Sequence, residues 1–119
     1  MADTIFDAEC PTREVLENIS KKWAAVALCL LSERPHRFSE LLHGMGGVSQ
    51  KVLTQTLRNL ERHGLITRTV NATTVPISVI YALTGLGESL AEPIGAMRRW
   101  TEQHIDEVVR AQKVYDTRE

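Results

Sequence analysis

The stretch Ser49-Gln50-Lys51-Val52-Leu53-Thr54-Gln55-Thr56-Leu57-Arg58-Asn59-Leu60-Glu61-Arg62-His63-Gly64 decides the fold. At about 100° per residue, Leu53, Leu57 and Leu60 fall in one narrow apolar sector, the spacing of a helix with a single buried face. Lys51, Gln55, Arg58 and Arg62 cluster on the opposite side, with Thr54 at the shoulder. Ser49 suits the N-cap, and Gly64 suits the stop because it tolerates the left-handed conformation. The outward face reads as cationic and free of acid, whereas an ordinary solvated face mixes both signs. Arg and Lys for phosphate or guanine, and Gln for an adenine edge or phosphate, are the types that major-groove readout requires.

Upstream, Phe38-Ser39-Glu40-Leu41-Leu42 predicts a short helix with Ser39 as N-cap, broken by Gly44, Gly46 and Gly47. Two helices joined by a tight glycine-containing turn, the second longer and basic, outline a helix-turn-helix over residues 38–64. Arg34-Pro35-His36-Arg37 ends an earlier helix predicted over residues 20–33. Its residues 23–31 are nearly all apolar, as in a buried central helix. Before it, Cys10-Pro11 opens a short helix carrying Val15, Leu16 and Ile19. Residues 1–9 are expected to form a flexible N-terminus.

Downstream of Gly64 the period changes from 3.6 to 2. Residues 65–71 and 77–83 predict strands, the second with Ile77, Val79, Tyr81 and Leu83 on one face. Ala72-Thr73-Thr74-Val75-Pro76 forms the polar tip between them. A two-stranded hairpin is marginal alone and must lean on the helices. Thr84 caps a last helix over about residues 85–114, which Pro93 should kink or split near Glu92. The expected fold is mainly α with a small β-hairpin: a winged helix-turn-helix with helical extensions for dimerisation at both ends, the wing spanning residues 65–84.

The 119 residues, 43% hydrophobic and 24% charged, allow one globular domain and exclude wholesale disorder. Two cysteines make no disulfide scaffold, and the four histidines, with no i, i+4 pair, make no metal site. No basic segment with an apolar core opens the chain, and the longest apolar run falls short of the roughly 20 residues that span a bilayer. A soluble, cytoplasmic chain without a membrane partner is expected. The glycines at 44, 46 and 47 follow a helix and not a strand, so they make a turn and no phosphate cradle. With no nucleophile beside a base and no paired carboxylates, neither catalytic residues nor a cofactor is expected, and the chain reads as a non-enzyme.

The net charge of −1 hides an asymmetry. Residues 34–68 hold six basic and two acidic side chains, against eight basic and thirteen acidic elsewhere. A positive middle is a footprint for a polyanion. The expected DNA-binding set is Arg37 and Ser39 at the start of the short helix, Ser49, Gln50, Lys51, Thr54, Gln55, Arg58 and Arg62 along the longer one, and Arg68, Asn71, Thr73 and Thr74 in the wing. Leu86, Leu90, Ile94, Met97, Ile105 and Val108, with Trp100, form an apolar stripe on the last helix larger than one small domain needs, which points to a homodimer interface. Cys10 lies at a helix N-terminus one turn before Arg13, where dipole and cation favour thiolate; it is a candidate redox sensor or else an inert small residue. Cys29 is expected to be a buried hydrophobe.

Several runs together carry a resemblance: Cys10-Pro11, Ile19-Ser20-Lys21-Lys22-Trp23, Arg37-Phe38-Ser39-Glu40-Leu41, Ser49 through Arg58, Leu60-Glu61-Arg62-His63-Gly64-Leu65-Ile66, Tyr81-Ala82-Leu83-Thr84-Gly85-Leu86-Gly87 and Trp100. The chain resembles the HxlR-type winged-helix transcriptional regulators, relatives of the MarR type. It departs from them at Ser20-Lys21, where glycines are usual, and at Gly85, where proline is usual. The resemblance implies one winged-helix domain over residues 10–119 and a homodimer on double-stranded, inverted-repeat operator DNA, each subunit laying one helix in a major groove. It also implies a switch by a small-molecule effector or by cysteine oxidation. Two rival readings are a winged-helix protein-interaction module and a nonspecific architectural DNA-binding protein.

Overall fold

The computed structural model describes residues 4–118. Of the expected flexible N-terminus, residues 1–3 lie outside the described residues. Residues 4–9 form local turns in which Asp7 N–H donates to the Thr4 carbonyl and Cys10 N–H to the Asp7 carbonyl, both at 3.1 Å. Helix α1 (Pro11–Ile19) starts on Pro11 with Cys10 as its N-cap.

Helix α2 (Lys22–Glu33) buries Ala24, Ala27, Leu28 and Leu31 and forms the centre of the molecule. Helix α3 (Phe38–Gly44) and helix α4 (Gln50–Arg62) follow across the glycine turn. Leu28, Leu41, Met45, Leu53 and Leu57 are the largest fully buried side chains, so the core lies where α2, α3 and α4 meet. The Ser49 hydroxyl accepts from Val52 N–H at 3.1 Å and caps α4. At the other end Gly64 has φ +75°, the conformation that lets the chain turn out of the helix.

Two expectations need correction here. Strand β1 (His36–Arg37) pairs antiparallel with β3 (Ser78–Leu83), which in turn pairs with β2 (Ile66–Asn71), so the hairpin is the larger part of a three-stranded sheet ordered β1-β3-β2. A two-residue strand has no period to read, and only its partner identifies it. That pairing also moves the start of α3: Arg37, held extended opposite Ile80, is the N-cap instead of Ser39. Glu40 closes the cap by accepting from Arg37 N–H at 2.8 Å.

Helix α5 (Gly85–Asp116) is tied to the rest by Thr84, whose hydroxyl accepts from Gly87 N–H at 3.0 Å and donates to the Gly64 carbonyl at 2.6 Å. The end of α4 and the start of α5 are thus joined through one side chain. Gly87 is buried so close to the Leu65 carbonyl that a Cβ there would overlap it. Of the expected kink or split at Pro93, the split does not occur: α5 runs through Pro93 as one helix. Pro93 leaves the carbonyl of exposed Ser89 without its helical donor, while half-buried Leu90 and buried Ile94 pack inward. No helix among the described residues is long and apolar enough to cross a membrane.

Candidate nucleic-acid interface

The three leucines of α4 turn inward, and Gln50, Lys51, Gln55, Arg58 and Arg62 are all exposed, while Thr54 is half-buried. Thr54 spends its hydroxyl on the Gln50 carbonyl at 2.8 Å, which fixes its rotamer and leaves its methyl for contact. The Gln55 amide lies 3.4 Å from Asn59 Oδ1 along the same helix. Arg62 diverges from the others: its guanidinium lies 4.0 Å from the Glu14 carboxylate of α1. Among the described residues no carboxylate pairs with Lys51, Arg58 or Arg68.

Between α4 and the sheet lies a concave surface of about 580 Å³, with Gln50, Thr54 and Arg58 on one wall and Arg68 and Tyr81 on the other. Arg68 of β2 stands opposite Tyr81 of β3, and both line the surface that Arg58 also lines. Phe38 and Leu57 contribute apolar floor. Glu61 reaches the same surface. The cationic face therefore carries an acid at its edge, beside Thr54 on the same shoulder of α4, contrary to the expected acid-free face.

The polar groups of the wing are bonded within the turn. The Asn71 side chain accepts from both the backbone N–H and the hydroxyl of Thr73, at 3.1 and 2.6 Å. The Thr74 hydroxyl lies 3.2 Å from the Asn71 carbonyl, 3.0 Å from the Pro76 carbonyl and 3.2 Å from the Ser78 hydroxyl. These polar groups are engaged in holding the turn. What projects at the tip is apolar: Val75 is 99% exposed and Ile77 65%, and Ile77 falls outside the strand in which its face was expected. At the other margin, Arg37 and Ser39 are exposed at the start of α3. The Arg34 guanidinium lies 3.5 Å from Glu40. The Arg37 backbone N–H, followed by Arg34, holds the Glu40 carboxyl below its ordinary range.

Cys10 sits at the helix N-terminus where it was expected, whereas Cys29 is less buried than expected. Cys10 caps α1 but is 5% exposed, and the Arg13 guanidinium lies along the helix 3.3 Å from Glu17. Cys29 is half-buried on a groove between α2 and α5. Along α5, Ile94 is buried within its own subunit and Leu90 packs against the core, so these two support the helix from inside. Leu86, Met97, Trp100 and Ile105 are exposed, Val108 is half-buried, and the Trp100 and His104 rings stack 4.7 Å apart.

Residues 18–109 match the model of the family described as HxlR-like helix-turn-helix. Over 105 residues the chain is 41% identical to YtfH of Escherichia coli K12, named as an HTH-type transcriptional regulator, covering 88% of this chain and 82% of the relative. The solved structure of the regulator ytfH from Salmonella typhimurium superimposes with a TM-score of 0.87 at 37% identity, covering 94% of this chain and 99% of that one. The redox regulator HypR in its oxidized form superimposes with a TM-score of 0.73 at 32% identity, over 79% of this chain and 96% of that one.

Proposed function

The chain belongs to the HxlR-like helix-turn-helix family of transcriptional regulators, which are not enzymes, and from that premise we propose that it binds operator DNA as a homodimer, with α4 in the major groove. The observation that carries this reading is the concave surface that Arg58 of α4 and Arg68 of β2 line together, neither paired with a carboxylate among the described residues. Lys51, Gln55 and Arg58 supply donors for base edges and phosphates, and Arg68 a phosphate contact that sets orientation. Arg37, Ser39, Ser49 and Gln50 stand at helix starts, within reach of backbone phosphates. With Asn71, Thr73 and Thr74 engaged in the turn, the wing's part falls to Arg68 and the apolar tip. Arg62, held toward α1, has a lesser share.

Surface area supports dimerisation. The chain exposes 8655 Å², against about 6,500 Å² for a compact monomer of this mass. Leu86, Met97, Trp100 and Ile105 supply the face that a second copy would cover. Two subunits would place two α4 helices on an inverted repeat, with half-site centres about one helical turn or a multiple of it apart.

Fluorescence anisotropy tests the reading: the DNA upstream of the chain's own gene and a scrambled duplex are each titrated at several salt concentrations. Tight, salt-sensitive binding that prefers the upstream DNA is expected. Equal affinity for both duplexes would convert the reading to an architectural one. No binding by a folded dimer would convert it to a protein-interaction module.

Oxidation is a second reading, favoured by the position of Cys10 at the N-cap of α1 and by the likeness to HypR. The 5% exposure of Cys10 means that α1 must loosen before an oxidant reaches the thiol. Diamide treatment should change operator affinity in the wild type and leave Cys10→Ser unaffected; an equal response from both overturns this reading.

A further inference from the structure

A groove of about 500 Å³ runs between α2 and α5. Ala25, Cys29 and Leu30 form one wall, and Ile94 and Met97 the other. Its charged groups lie on the rim: Glu33, Arg98 and Glu102. Among the described residues that is two carboxylates against one guanidinium. The Arg98 guanidinium is already engaged, with Nε 3.2 Å from Glu102 Oε2. Glu33 is left over as the uncompensated charge. It is also the last residue of α2, whose final turn has no basic side chain, so the negative end of the helix dipole adds to the same site.

We propose that this groove binds an organic monocation with an apolar body, its ammonium at Glu33 and its hydrocarbon along Ala25, Leu30 and Ile94. The volume is that of a small-molecule site, and a few polar groups at the edge of an apolar lining are what such a site needs for orientation. An anionic ligand would meet Glu33 and an Arg98 already paired. An electrophile aimed at Cys29 would meet a thiol that burial pushes up, with Glu102 and Glu33 reinforcing the effect against Arg98. That thiol stays protonated and is a poor nucleophile. The groove separates α2 of the winged-helix body from α5, so an occupant alters the angle at which the dimer helix leaves the body. That regulatory consequence rests on the operator-binding reading; the binding itself does not.

The test uses three probes with one ring system and different charges: 1-naphthylmethylammonium, 1-naphthylmethanol and 1-naphthoate. Each is titrated calorimetrically into the DNA-free chain. The ammonium is expected to bind about tenfold more tightly than the alcohol, with naphthoate weakest. Glu33→Gln should narrow that preference to about threefold or less. Thr101→Trp, at an exposed position on the rim, should block all three probes while circular dichroism stays that of the folded chain. Equal affinities, a preference for naphthoate, or binding that survives Thr101→Trp would each overturn the proposal. Absence of binding by all three, the result if a second copy fills the groove, would overturn it too. Since no DNA is present, such a failure leaves the operator reading standing. A bound ammonium that leaves operator affinity unchanged overturns only the regulatory consequence.

Discussion

On the proposed reading, recognition turns on Arg58 and Arg68, which come from different elements and line one concave surface. Arg58→Ala is expected to lower operator affinity by about 1–3 kcal/mol and to relax preference at one base pair if the guanidinium reads a guanine. Anisotropy on the operator and its single-base variants checks this, and an equal loss across all sequences would make Arg58 a phosphate contact. Glu40 gives a pH-dependent prediction. Its carboxyl is held below the ordinary value of 4.5, chiefly by the Arg37 N–H, so the charged cap contributes stability above that value and loses it as pH falls through the lowered one. Glu40→Gln should therefore be less stable than wild type at neutral pH, and the gap should close below pH 4.5, as read by urea unfolding across pH. A gap independent of pH would show that the charge is not responsible. At this scale the outward face of α4 was legible in the sequence, because helical angle is a local property. Phe38 and Tyr81 were not identified with that face, because only strand register and helix packing bring them to it.

At the scale of elements, the caps were legible and the short or engaged pieces were not. Ser49, Gly64 and Thr84 all act where local chemistry places them. Ser39 does not, because β1 holds Arg37 extended and starts α3 earlier. The wing residues Asn71, Thr73 and Thr74 have side chains suited to phosphate, but the same donors and acceptors satisfy the turn at shorter range. Gly87 has the opposite character: it reads as an unremarkable glycine in a helix start, yet α5 can approach the Leu65 carbonyl only there. Gly87→Ala is expected to cost about 2–3 kcal/mol in urea unfolding, since the displaced group is backbone and cannot rotate aside. An unchanged midpoint would mean that α5 shifts without penalty.

The whole molecule is extended. Its radius of gyration is 17.3 Å, against about 13.5 Å for a compact chain of this length. Much of the difference comes from α5, whose 32 residues make a rod of about 48 Å. An apolar face on such a rod needs a cover, and Met97 and Trp100 are 65% and 55% exposed. The double variant Met97→Asp, Trp100→Asp is expected to sediment as a folded monomer where the wild type sediments as a dimer, and to lose operator affinity by removing the second half-site. A wild type that is monomeric at micromolar concentration would overturn the dimer.

The sequence by itself determined the order of elements, the winged-helix class, the buried and outward faces of α4 and three of the helix ends. All of these follow from periodicity and capping, which act over a few residues. Only the tertiary structure decided that β1 completes the sheet, that α5 passes through Pro93, that the wing donors close their own turn, and that Cys29 lines a groove whose rim is negative. Each of those depends on groups distant in sequence competing for the same space or the same hydrogen bond, and the winner is set by packing.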